Sequence, residues 1–148
     1  MLGNHQNTQA ARWLGFAGVL PFAASAINLH TGWPLFDGFA LQVFIVYSAV
    51  ILSFLGGIRW GLASTNTAAT ASDYAVAVAP SLIAAAAVLL ARPGWQVLTL
   101  AAGFASIGAL DYLRPAAGMS AWLRALRWQL TILVLLTHLL AWLAIRSW

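Results

Sequence analysis

The 148-residue chain contains no cysteine, no lysine and no glutamate. Without cysteine there is no disulfide, thiolate chemistry or iron–sulfur ligation. Charged residues make up only 7% of the sequence, against about 25% in an ordinary soluble domain. The sequence also lacks a glycine-rich phosphate loop, a metal-spaced cluster, a Ser–His–Asp set and a carboxylate pair inside an apolar run. Those absences argue against hydrolysis, phosphoryl transfer and metal catalysis, so the chain is not expected to be an enzyme. What fills the space instead is apolar: 62% of the residues are hydrophobic and eight are tryptophan.

The net charge of +4 comes from seven arginines set against three aspartates. In a soluble chain that balance would suggest nucleic acid. Here the arginines sit at the ends of apolar runs, where they act as topology signals and headgroup contacts, and a nucleic-acid partner is not expected. The runs predict an all-α polytopic membrane protein with five transmembrane helices at about 11–31, 38–62, 74–91, 95–112 and 124–146. Each is close to the roughly 20 residues needed to cross a hydrocarbon core of about 30 Å. Residues 1–10 are polar and read as a flexible segment, and 11–148 as a single domain. Pro21 interrupts the first run, and a kink is expected there. Most tryptophans fall near run boundaries, as an interfacial belt requires.

Five spans put the termini on opposite sides. Arg12, Arg59, Arg114, Arg124 and Arg127 share the side of the amino terminus; Arg92 and Arg146 lie on the other. That bias predicts a cytoplasmic amino terminus and an outside carboxyl terminus, in a bacterial inner membrane or the equivalent organelle membrane.

The second run ends in Ser53-Phe54-Leu55-Gly56-Gly57-Ile58-Arg59-Trp60-Gly61. Ala49, Ser53, Gly57 and Gly61, at fourfold spacing, form a small-residue stripe. With Gly56 they mark this helix as one that another backbone can approach closely. Ala101, Ala105 and Ala109 form a similar stripe on the fourth run. Arg59 points to roughly the opposite side of its helix. Three readings stay open for it: snorkelling to the headgroups, an ion pair with Asp111 at the same-side end of the fourth helix, or a substrate or proton role. His138 sits in the middle of the fifth run. Its readings are a hydrogen bond to a neighbouring helix, a ligand contact with quinone or pigment alongside Trp142, or proton transfer. No resident cofactor is predicted, although bound lipid, quinone or pigment would suit such a helix.

Tyr47 to Gly61 resembles the signature of the domain-of-unknown-function 3429 family, small membrane proteins of the transmembrane-protein-69 type. Leu14-Gly15-Phe16 to Leu20-Pro21-Phe22, Val78-Ala79-Pro80-Ser81-Leu82, Asp111-Tyr112 and Trp122 to Thr131 resemble other parts of it. The similarity covers nearly the whole chain. It implies a fold and a membrane location, and it transfers no catalytic residue.

The expectation that follows is a non-catalytic accessory or structural subunit. Its partners would be membrane lipids and the integral subunits of a larger respiratory or photosynthetic complex. The alternative is an intramembrane lipid- or quinone-binding protein using His138, Trp142 and Arg59. A small oligomeric channel or transporter ranks third, because Thr99, Ser106, Thr131 and Thr137 make a poor polar stripe.

Overall fold

In a computed structural model the backbone is described for residues 3–34, 36 and 38–146, and side chains from residue 8 onward within those limits. The side chains of His5 and Trp148 lie outside the described residues. Six helices follow one another: α1 (Gly3–Ala17), α2 (Leu20–Thr31), α3 (Ala40–Ser64), α4 (Ala71–Val88), α5 (Pro93–Leu113) and α6 (Ala121–Ile145). Read with Thr8–Thr31 as one interrupted span, they provide five segments long and apolar enough to cross a membrane.

The first span breaks where the sequence places its proline. Pro21 has no N–H to give the preceding turn, and it falls in the opening turn of α2, where none is required. The chain turns through Gly18 and Val19, and the Tyr47 hydroxyl on α3 donates to the Gly18 carbonyl at 2.9 Å. From Gly3 on, the polar opening segment forms part of α1. Once the apolar turns after Ala11 are helical, extending them backward adds one hydrogen bond per residue without a new nucleation step.

The other boundaries shift by a few residues, mostly for identifiable reasons. α4 starts at Ala71 rather than 74 because Thr70 and Asp73 form a capping box. The Thr70 N–H donates to Asp73 Oδ2 at 2.8 Å. It stops at Val88 rather than 91 because the Gln96 side-chain amide, reaching over from α5, donates to the carbonyls of Val88 and Leu90 at 3.0 and 2.9 Å. α5 opens on Pro93, the first-turn position proline favours. At the end of α2, Gly32 adopts φ +62, and its N–H returns to the Asn28 carbonyl at 2.9 Å.

The helices pack around rings. Phe22, Phe44 and Phe104, from α2, α3 and α5, are each 1% exposed or less and meet near the middle of the bundle. Phe22 stands edge-on to Phe44 and Phe104, with centroids 5.8 and 6.0 Å away. α3 and α4 approach closely at Gly56, which faces the Ala77 carbonyl and the ring of Pro80. α5 and α6 approach at Gly108, where a Cβ would lie 2.5 Å from Thr131 Cγ2.

Candidate functional site

Three charged side chains converge at the end of the bundle that carries the amino terminus. Arg59 lies about a turn and a half before the end of α3, Asp111 in the last turn of α5, and Arg127 in the second turn of α6. Arg59 Nη1 donates to Asp111 Oδ1 at 2.6 Å. Arg127 Nε donates to Asp111 Oδ2 at 2.7 Å, and its Nη2 donates to the same oxygen. All three residues are buried, with exposures of 7%, 2% and 5% in chain order. Burying charge out of water is costly, and a lipid surround makes that worse, so each of these charges is set against one of opposite sign.

The triad carries two positive charges and one negative. Both oxygens of Asp111 are engaged by guanidinium groups, so the carboxylate is not free to act as a base. Arg127 Nη1 is buried with no hydrogen-bond partner among the described residues. Of the three readings held open for Arg59, the geometry matches the ion pair. Arg127 is the member that sequence reasoning counted only as a topology charge. Arg59 borders a small polar recess of about 20 Å³ beneath the loops, shared with Asn66 and Asp73.

His138 lies deeper. It is 1% exposed, and its Nδ1 donates to the Val134 carbonyl at 2.9 Å, one turn back on its own helix. The bond to a neighbouring helix expected from sequence is therefore replaced by one within α6. The ring is enclosed by Phe44, Phe104 and Phe22 at centroid distances of 4.7, 5.3 and 5.9 Å. His138 Nε2 is buried with no hydrogen-bond partner among the described residues, and His138 is not among the residues lining the apolar cleft nearby. Trp142, one turn further along α6, is half-buried against the core. His30 ties α2 to α6, its Nε2 donating to the Leu140 carbonyl at 2.9 Å.

The small-residue positions of α3 separate onto two faces. Gly56 is buried at the α4 contact. Gly57 and Gly61 are exposed, and a Cβ built on either meets nothing within 4 Å. Ala49 and Ser53, further back on that stripe, are half-buried. On α5 the close approaches are made by Gly103 and Gly108. The alanine stripe is turned partly outward, with Ala105 exposed.

Beside the triad, an apolar cleft of about 310 Å³ runs between the broken first span, α3 and α6. Gly18, Leu55 and Leu130 line its walls, Phe22 and Phe104 lie at its deep end, and Arg127 is its one charged lining residue among the described residues.

A stretch of 64 residues is 34% identical to Transmembrane protein 69 of Xenopus tropicalis, covering 43% of this chain and 25% of that protein. The matched region thus spans about a quarter of the relative's length. No solved structure matches the chain. The pattern of the family described as "Protein of unknown function (DUF3429)" matches residues 7–143, nearly the whole of the five-span bundle, and the chain belongs to that family.

Proposed function

We propose that this protein is a non-catalytic membrane subunit that packs beside a larger membrane assembly through the outer face of α3. The observation carrying this reading is the pair Gly57 and Gly61. Glycine within a helix costs roughly 0.5–1 kcal/mol relative to alanine. Neither residue makes room for anything among the described residues of its own chain. Small residues on a lipid-facing surface let a second transmembrane helix come close, where dispersion contacts stabilise the pair. The locked carboxylate of the triad and the enclosed histidine also support a structural role.

Gly57→Leu and Gly61→Leu are expected to remove the partner from a mild-detergent purification while leaving the melting temperature of the isolated protein within a few degrees of wild type. Mass spectrometry of the purified fraction checks this, with a respiratory or photosynthetic complex of an inner membrane the first partner to look for. Unchanged co-purification by both variants would sink the reading.

The proposal includes an orientation, with the amino terminus in the cytoplasm. Arg59 and Arg127 are engaged in the bundle, so the positive-inside signal rests on Arg12, Arg114 and Arg124 against Arg92 and Arg146. The chain has no cysteine of its own, so Ala68→Cys, in the exposed loop between α3 and α4, reports the side directly. An impermeant maleimide added to intact cells should leave it unlabelled until the membrane is opened. Labelling in intact cells would invert the topology.

A further inference from the structure

We infer that the cleft beside Arg127 is a binding site for an anionic phospholipid, with one acyl chain between the first span, α3 and α6 and the headgroup on the arginine. The dimensions suit a single chain. At about 310 Å³ the cleft is near the lower end of the roughly 300–1,000 Å³ typical of small-molecule sites. It follows α6 from Leu123 to Val134, eleven residue steps or about 16 Å at a rise of about 1.5 Å each. That is close to half of a hydrocarbon core of about 30 Å, the depth of one leaflet. Its walls are almost entirely hydrocarbon, and a lipid tail meets them without losing a hydrogen bond.

The charge distribution selects the headgroup. Arg127 is 5% exposed, and its Nη1 lacks a hydrogen-bond partner among the described residues. A buried donor left unmatched is costly, most of all on a charged group. The triad around it holds one more positive charge than negative. Arg12 and Arg124, both exposed, directly follow Ala11 and Leu123 at the shallow end of the cleft. Neither Asp73 nor Asp111 is among the lining residues. A phosphate at Arg127 balances the extra charge, and a rotation of the guanidinium, whose Nη1 has no acceptor among the described residues, brings that buried donor to a phosphate oxygen. A choline group would add positive charge beside Arg12 and Arg124, which disfavours a zwitterionic lipid. Basic sites between transmembrane helices on the cytoplasmic side are a recurring means of holding acidic headgroups, and the site does not depend on the partner surface of α3.

The test incubates the detergent-purified protein with phosphatidylglycerol and with phosphatidylcholine of identical chains and counts retained lipid by native mass spectrometry. Wild type should retain phosphatidylglycerol about tenfold better, the size expected of one charge-assisted contact. Arg127→Gln should bring phosphatidylglycerol down to the phosphatidylcholine level. Leu130→Trp, which fills the cleft and leaves all three triad residues unchanged, should abolish retention of both and keeps the test independent of how Arg127→Gln folds. Equal retention of the two lipids by wild type, or full retention by Leu130→Trp, would overturn the inference. So would a quinone or a free fatty acid found in the cleft in place of phospholipid.

Discussion

Asp111→Ala is expected to cost about 3–5 kcal/mol, the range seen when one partner of a buried ion pair is removed. The reason lies in what remains: two buried guanidinium groups with their shared acceptor gone and nothing to offset their repulsion. Thermal unfolding in detergent, followed by near-ultraviolet circular dichroism, should show a large drop in melting temperature or no folded protein at all. Arg59→Met should cost less, because Asp111 keeps Arg127 and the remaining pair is neutral. Replacing Asp111, Arg59 and Arg127 together by leucine and methionine should recover most of the loss, since apolar side chains avoid the cost of burying charge. A melting temperature for Asp111→Ala equal to that of wild type would mean that the arginines reach headgroups instead of the carboxylate.

Gly56→Ala and Gly57→Ala, adjacent in sequence, are expected to have opposite signs. At Gly56 a Cβ would collide with the Ala77 carbonyl oxygen and press on Pro80. The obstruction at the carbonyl is backbone, which cannot rotate away as a side chain would. α3 and α4 must therefore separate, at a cost in the upper part of the roughly 1–3 kcal/mol usual for overpacking. At Gly57 the added methyl meets nothing within 4 Å. The helix gains the roughly 0.5–1 kcal/mol by which alanine exceeds glycine, so the isolated protein should be slightly more stable. The same melting experiment reads both variants. Equal effects would show that the α3–α4 contact does not depend on Gly56.

The candidate site was partly legible in the sequence. Arg59 and Asp111 could be paired because the span count puts both at the same end of the bundle. Arg127 could not be recruited in the same way. An arginine in the opening turns of a transmembrane helix looks the same in sequence whether it reaches out to headgroups or turns inward, and helix rotation decides between them. His138 showed where the bundle centre lies, because a polar ring at mid-membrane has to face inward. Its three phenylalanine neighbours come from helices far apart in the chain, whereas its hydrogen bond is local, to Val134 one turn back on α6. One of the two ends of α4 carried a signal in the sequence. Thr70-Ala71-Ser72-Asp73 has the spacing of a capping box, which starts the helix earlier than its apolar residues suggest. The Gln96 cap at the other end depends on the α4–α5 turn bringing two helices together, and no local pattern announces it.

By itself the sequence determined the number of spans, their approximate extent, the break at Pro21 and the scarcity of groups for chemistry. All of these follow from the cost of placing polar groups in hydrocarbon, which is a local property of each segment. Only the tertiary structure decided which face of each helix looks inward. In water an apolar stripe marks the core, but in a membrane the outer face is apolar too, so periodicity cannot separate Gly56 from Gly57 or the alanines of α5 from its glycines. Helix rotation is set by close fits between segments distant in the chain: Gly56 on Ala77, Gly108 on Thr131, and two arginines on one aspartate.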